Sequence, residues 1–76
     1  MSDILTVLGR NVKYYRARLE WTQEDLARQA GINRSYLAGI ECGRRNTSAR
    51  TIEKLARALG VSPADLLEAT DVFQDE

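Results

Sequence analysis

The segment from Thr22 to Gly43 constrains the fold most, because it carries the signals for two short helices and the turn between them. Thr22 is a helix N-cap residue, and Asp25 three positions later makes a short form of the capping box. The predicted helix begins at Gln23 and has one apolar face, which consists of Leu26, Ala27 and Ala30. Gly31 follows, and glycine adopts the left-handed conformation that ends many helices.

A second short helix follows directly. Ile32 returns to the core, Asn33 caps a helix from about Arg34 to Cys42, and Gly43 ends it. Two short helices joined by a glycine-containing turn form a helix-turn-helix, which presents its second helix to the major groove of DNA.

Apolar side chains at spacings of three and four predict a longer helix before this pair, from about Ile4 to Leu19. Its stripe consists of Leu5, Leu8, Val12, Tyr15 and Leu19. Gly9 lies inside this helix at a cost of about 1 kcal/mol relative to alanine, which indicates close approach of another helix. Trp21, just before the next cap, is interpreted as a core residue.

Two more helices are predicted after the pair. Ser48 caps one from about Ala49 to Leu59, and Ser62-Pro63 starts another that fades near Ala69, with Leu66 and Leu67 directed inward. Strand-like alternation is absent. The sequence therefore predicts an all-α, five-helix single domain over residues 1–76, with an acidic tail at about 70–76.

Charge is unevenly distributed along the chain, although its formal net value is zero. All 11 Lys and Arg residues lie between positions 10 and 57, where the net charge is +6. After Arg57, all of the charged residues are acidic. This pattern is typical of a protein that binds DNA with one face and keeps the other away from phosphate. The alternative is that the acidic tail is only a solvated end.

The composition narrows the possible chemistry. With no histidine and 1 cysteine, the chain offers no internal disulfide, no plausible zinc site and no constellation for nucleophilic or metal-assisted catalysis. We therefore expect no enzyme activity, no cofactor and no small-molecule ligand. No apolar run approaches the ~20 residues that span a bilayer, and no signal peptide is evident, so we expect no membrane association and a cytoplasmic location.

The predicted third helix has an outward sector of small residues, which lets a helix backbone sit deep in a groove. This sector consists of Ser35, Ala38, Gly39 and Cys42. Arg34 projects from the first turn and can reach guanine O6 and N7. The expected base contacts are Arg34 and Ser35, then Ala38, with Asn33 weaker because its side chain also serves as the cap.

Contacts to the DNA backbone are expected around this helix. Gln23 and the free N–H groups at the start of the second helix can meet a phosphate. The other expected backbone contacts are Tyr36, Arg44, Arg45 and Asn46. Alternatively, Arg44 and Arg45 are solvated loop residues, and Tyr36 packs on Arg28 or the first helix.

A structural ion pair is expected between Arg16, on the inward edge of the first helix, and Glu41, on the core side of the third. If it is buried, removal of one partner strands the other at a cost of about 3–5 kcal/mol.

Taken together, these residues resemble the lambda-repressor-like (Cro/CI, XRE) helix-turn-helix family over about Leu8 to Leu67. The markers of the resemblance are Leu8-Gly9, Arg16, Thr22-Gln23-Glu24-Asp25-Leu26-Ala27, Ala30-Gly31-Ile32, Ser35-Tyr36-Leu37, Ile40-Glu41, Gly43 and Leu55-Ala56-Arg57-Ala58-Leu59-Gly60-Val61. The resemblance implies a five-helix fold and operator binding as a dimer. By position, it also implies a phosphate-clamping Gln23, base-reading Arg34 and Ser35, and the Arg16–Glu41 pair.

Within that family, the short chain with Asn33-Arg34-Ser35-Tyr36, Gly39-Ile40-Glu41 and Arg45-Asn46 most resembles the controller proteins of restriction–modification systems. Two positions depart from the family pattern. Glu20 stands where glycine often ends the first helix, and Cys42 stands where an arginine or another polar residue is common.

The sequence thus predicts a sequence-specific transcriptional regulator that binds double-stranded DNA at a palindromic operator as a homodimer. Candidates for the dimer surface are Leu66, Val72 and Phe73, with the alternative that Leu66 only closes the monomer core. A second hypothesis is a protein-interaction module, such as the antitoxin of a toxin–antitoxin operon. A neighbouring gene for a small toxin would favour it over a controller.

Overall fold

The computed structural model describes residues 3–69, and all regular secondary structure in that part of the chain is helical. The helices in chain order are α1 (Ile4–Arg18), α2 (Gln23–Ala30), α3 (Arg34–Glu41), α4 (Ala49–Leu59) and α5 (Pro63–Leu67). The predicted all-α, five-helix fold is confirmed, with α2 and α3 as the helix-turn-helix.

Local side-chain caps explain where α2 and α3 begin. The Thr22 hydroxyl accepts a bond from the Asp25 N–H at 3.0 Å, and the Asp25 carboxylate accepts one from the Thr22 N–H at 2.9 Å. At α3, Asn33 Oδ1 accepts from the Tyr36 N–H at 3.1 Å. Gly31 lies between the helices with φ 71°, a left-handed conformation that glycine adopts without steric cost. These contacts fix the start of both helices without help from distant residues.

One core joins all five helices. Its buried apolar residues are Leu8, Val12, Leu26, Ala27, Ala30, Leu37, Ile40, Leu55, Ala56, Leu59 and Leu66. Tyr15 and Trp21 are partly buried and pack against this cluster, so Trp21 is a core residue as expected. The outward faces of α2 and α3 remain accessible because their apolar stripes point into the core.

At Gly9 the backbone of α1 packs directly against the backbone at the end of α3. A Cβ atom at this position would lie 2.8 Å from the Glu41 carbonyl oxygen and still closer to that of Ile40. The expected close approach of another helix at Gly9 is therefore confirmed, and the neighbour is the backbone at the end of α3.

Two leucines predicted to point inward do not. Leu19 is 42% exposed, because α1 ends at Arg18 and the chain then turns at Glu20, whose φ is 61°. Leu67 is 39% exposed, because the short α5 directs Leu66 rather than Leu67 into the core. Helical periodicity identifies the inward faces of α1 and α5 correctly. Leu19 and Leu67, however, lie at the ends of these helices, where that face no longer meets the core.

Asn11 holds the end of α5 against α1. It is 1% exposed, and its Nδ2 donates to the carbonyl oxygens of Leu66 at 2.8 Å and Glu68 at 3.0 Å. Leu66 itself is fully buried. The expectation that Leu66 forms a dimer surface is therefore corrected: it closes the monomer core, which was the alternative. Val72 and Phe73, the other two candidates, lie outside the described residues.

Candidate nucleic-acid interface

The first turn of α3 is presented to solvent, whereas its inner side is anchored. Arg34 and Ser35 are exposed, and Leu37 and Ile40 on the opposite side are buried. Ala38 is half-buried, and Cys42, just beyond the helix, is exposed. This face can approach a groove without displacing any part of the core.

The side chain of Asn33 is only partly engaged. Its Oδ1 accepts the capping hydrogen bond of α3, but the residue is exposed and its Nδ2 donates no hydrogen bond to the residues that the structure describes. An amide nitrogen donates two hydrogen bonds, so Asn33 keeps donor capacity for a base edge or phosphate beside Arg34 and Ser35.

Arg45 does not extend freely from the loop between α3 and α4. Its aliphatic stem lies over Gly39, where an added Cβ would collide with the Arg45 side chain. Its guanidinium carbon lies 5.2 Å from the centre of the Tyr36 ring, which is a cation–π contact. The side chain is therefore held along α3, in contrast to the alternative of a fully solvated loop residue.

Tyr36 packs on the same loop. Its hydroxyl donates to Thr47 Oγ1 at 2.9 Å, and the ring is covered by Arg45. Tyr36 is also half-buried and packs against the core cluster, so its ring lies between the core and the loop that follows α3. Arg44 and Asn46, two further expected backbone contacts, are exposed in this loop.

Arg16 and Glu41 form a two-pronged ion pair behind α3. Arg16 Nε lies 2.7 Å from Glu41 Oε2, and Arg16 Nη2 lies 2.9 Å from Glu41 Oε1. Arg16 Nη1 also donates to the Trp21 carbonyl oxygen at 2.8 Å. Their side chains are 15% and 3% exposed, and the hydrogen bonds from Arg16 to Glu41 raise the pKa of the Arg16 guanidinium further. The pair therefore ties the end of α3 to α1 and to the linker before α2.

Gln23 is part of this network, which the sequence did not indicate. Its Nε2 donates to Glu41 Oε1 at 3.0 Å, so the first residue of α2 is bonded to the last residue of α3. Gln23 remains partly exposed, with one N–H of its amide and its carbonyl oxygen left for other partners. A phosphate contact by Gln23 would thus come from a side chain already held in place.

The missed contacts share one cause. The Gly39–Arg45, Tyr36–Thr47 and Gln23–Glu41 contacts join residues that are separated by 6 to 18 positions and belong to different elements. Helical periodicity reports which face a residue occupies, but not which neighbour from another element meets it. A glycine on an outward helical face was the one available signal that another side chain lies there.

Comparison with known proteins assigns the chain to a family. The sequence profile of a helix-turn-helix family, HTH_3, matches residues 12–66, which include all of α2 to α4. The chain belongs to this helix-turn-helix family. It is a transcription regulator of the XRE type, as predicted.

Two relatives show how far the similarity extends. A hypothetical transcription factor from Neisseria meningitidis is 43% identical over 65 residues, covering 86% of this chain and 61% of the relative. The control protein C.BamHI from Bacillus amyloliquefaciens is 39% identical over 72 residues, covering 93% of this chain and 89% of that protein. The chain therefore spans somewhat less than two thirds of the first relative and most of the second.

Solved structures of related proteins have the same fold as this chain. The restriction-modification controller protein C.AhdI from Aeromonas hydrophila is 40% identical with a TM-score of 0.79, over 82% of this chain and 94% of that one. The controller protein C.Esp1396I, solved as a tetramer in complex with its natural 35 base-pair operator, is 32% identical with a TM-score of 0.78, over 87% of each chain. Both of these solved relatives are restriction-modification controller proteins, and the second was solved bound to its operator DNA.

Residues 3–69 contain no group of three or more His, Cys, Asp and Glu side chains placed to hold a metal ion. None of the helices in this range is both long enough and apolar enough to cross a membrane.

Proposed function

We propose that this protein is a restriction–modification controller that binds a palindromic operator as a homodimer. One observation carries the proposal: Arg34 and Ser35 are exposed on the first turn of a helix whose other side is locked by Leu37, Ile40 and Glu41. Such a rigid helix presents the same donors to every base pair it meets, which direct readout requires.

The roles of the individual residues follow from their placement. Arg34, Ser35, Asn33 and Ala38 face the bases, with Arg34 donating two bonds to a guanine. Phosphates are contacted by Gln23, Tyr36, Arg44, Arg45 and Asn46. Arg45 lies beside α3 and not beyond it, so its charge adds to the field at the groove that α3 enters.

The two-fold arrangement follows from the size of the reading surface. One helix-turn-helix contacts only a few base pairs, so a dimer with half-sites about one helical turn apart, roughly 34–36 Å, supplies the remaining specificity. The likeness to C.BamHI, C.AhdI and C.Esp1396I supports a controller. As a regulator that acts by binding DNA, the protein is further proposed to be cytoplasmic and to work without a cofactor and without catalysis.

Selection of bound duplexes from a random pool tests the proposal directly. We expect a palindrome whose half-sites each contain a guanine contacted by Arg34. Arg34→Ala removes one bidentate base contact from each half-site, so it should lower the affinity of the dimer for that site by at least roughly 30-fold, which is two losses of about 1–3 kcal/mol each. Its thermal midpoint should stay unchanged because Arg34 is exposed.

Arg45→Ala should instead weaken binding to operator and random DNA alike if the residue meets phosphate. Lys13→Ala is the matched control, since it removes one exposed cation from α1 and should leave affinity nearly unchanged. Recovery of no preferred duplex at low salt would refute the proposal.

A further inference from the structure

An apolar groove lies on the side of α1 that carries the exposed Leu19. It has a volume of about 250 Å³ and is lined by Tyr15, Arg18, Leu19, Leu59 and Val61. Leu19 is 42% exposed, whereas Tyr15 and Val61 are half-buried. A cavity of roughly 150 Å³ already accepts a benzene ring, so this groove has room for one aromatic side chain.

The groove lies beside the start of α5, while the chain leaves α5 elsewhere. Val61 at the groove lies two residues before α5, whereas Glu68, just after α5, accepts a hydrogen bond from Asn11, about 12 Å before Leu19 along α1. The helix α5 therefore runs from the groove towards Asn11. The last described residues, Glu68 and Ala69, therefore lie at the Asn11 end of α5, which is the end remote from the groove, and residues 70–76 are joined to the chain there.

That segment has a composition that matches the groove. Its sequence, TDVFQDE, contains the adjacent apolar residues Val72 and Phe73, followed by the acids Asp75 and Glu76. The groove has an apolar floor of leucine and valine and one cation, Arg18, whose guanidinium extends over Tyr14 at 5.7 Å from the ring centre. The order of apolar and acidic residues in the segment thus corresponds to the floor and the rim of the groove.

We infer that this groove receives residues 70–76 of a second copy of the chain, with Phe73 on the groove floor and the acids Asp75 and Glu76 at Arg18. The inference rests on the proposed dimer and names its interface. A two-fold axis gives each groove the segment of the other copy, so every contact occurs twice. The two Phe73 rings together bury on the order of 300–500 Å², a substantial part of the ~1,200 Å² of a small specific interface.

The exchange also accounts for Leu19. The α1 stripe predicts an inward leucine there, yet in the single chain the turn at Glu20 leaves it open to water. Docking of Phe73 covers Leu19 in the dimer, so the apolar stripe of α1 is completed by the partner and not by the monomer core.

Sedimentation equilibrium of the full chain tests the interface. Leu19→Glu and Phe73→Ala should each weaken the dimer by at least ~30-fold, as expected for an aromatic anchor and its pocket. Ile4→Glu is the matched control: it places the same charge on an apolar α1 residue that is 54% exposed and outside the groove, and it should leave the dimer constant within about twofold. Circular dichroism melts confirm that the variants remain folded.

A charge exchange tests the rim. Arg18→Glu should weaken the dimer, and the triple variant that adds Asp75→Arg and Glu76→Arg should restore it. Failure of that restoration, with Leu19→Glu and Phe73→Ala as tight as the unmodified chain, overturns the inference.

Paramagnetic labelling then separates exchange from docking within one chain. A spin label at Gln74→Cys, in a Cys42→Ser background, should broaden the amide signals of Leu19 and Val61 in an unlabelled, nitrogen-15-enriched partner mixed with it. When label and isotope are on one chain diluted into excess unmodified protein, that broadening should disappear. Its persistence there would mean that the segment docks on its own chain and would overturn the exchange.

The two proposals fail differently. A dimer that is indifferent to every groove variant removes the exchanged segment and leaves the two-fold regulator standing. An unmodified chain that stays monomeric both free and on the selected operator removes the proposed dimer, and this inference with it.

Discussion

Replacement of Gly9 by alanine tests how tightly α1 supports the recognition helix. An added Cβ would lie 2.8 Å from the Glu41 carbonyl oxygen, whereas ordinary contact begins near 3.4 Å. The two backbones would have to separate by about 0.6 Å at Glu41 and by more at Ile40. No rotamer change can relieve the contact, because its partner is main chain.

Two opposing contributions set the change in stability that Gly9→Ala causes. Overpacking of this kind costs about 1–3 kcal/mol, and a backbone partner places it at the upper end. Alanine in the middle of a helix returns about 1 kcal/mol relative to glycine. We therefore expect Gly9→Ala to lower the free energy of unfolding by about 2 kcal/mol, or roughly 8–16 °C in the thermal midpoint of a domain of this size.

Urea denaturation followed by circular dichroism measures this change. Gly39→Ala is the matched control, since its Cβ would meet the movable Arg45 side chain and not backbone. The free energy of unfolding should stay the same or rise by up to about 1 kcal/mol. DNA affinity should fall, because the displaced Arg45 side chain loses its contact with the Tyr36 ring. A Gly9→Ala protein as stable as the unmodified chain would refute the close α1–α3 packing.

Three further substitutions probe other parts of the structure. Glu20→Gly should raise the free energy of unfolding by about 0.5–1 kcal/mol in urea melts, because glycine adopts φ 61° without strain, whereas Glu20→Ala should bring no gain. Glu41→Ala should lower the free energy of unfolding by about 3–5 kcal/mol because it leaves the Arg16 charge without its partner. The double variant Arg16→Met with Glu41→Leu should recover most of that loss. Equal losses in the two variants would argue against an effect of buried charge. The hydrogen bond from the Thr22 backbone N–H lowers the pKa of Asp25 from its ordinary value of 3.8. The unmodified protein should therefore have a larger free energy of unfolding than Asp25→Asn above pH 3.8, and this difference should shrink as pH falls through the lowered pKa. A difference that persists in strong acid would contradict this role of Asp25 in the cap.

The helices could be predicted because their start signals are local. Thr22, Asn33, Ser48 and Ser62 each accept a bond from an N–H three residues later, and such a pattern is visible in the sequence alone. The bounds of α4 agree with the expectation because both ends carry such a signal: Ser48 lies before the helix, and Gly60, with φ 75°, follows it.

The contacts that organise the candidate interface could not be predicted in the same way. Gln23 was expected at a phosphate from its position at the start of α2, but its bond to Glu41 depends on how α2 and α3 cross. The exposure of Leu19 depends on the direction of one turn, at Glu20. Local patterns specify elements, whereas these features arise only when elements meet.

The division of α3 into an anchored side and an open side has a consequence for how such regulators diversify. The groups that hold the helix, Leu37, Ile40 and Glu41, share no position with the groups that face outward, Arg34 and Ser35. New outward residues can therefore be installed on an unaltered scaffold at little thermodynamic cost. A lineage of such chains could acquire private target sequences one surface exchange at a time, each member folding as well as its parent.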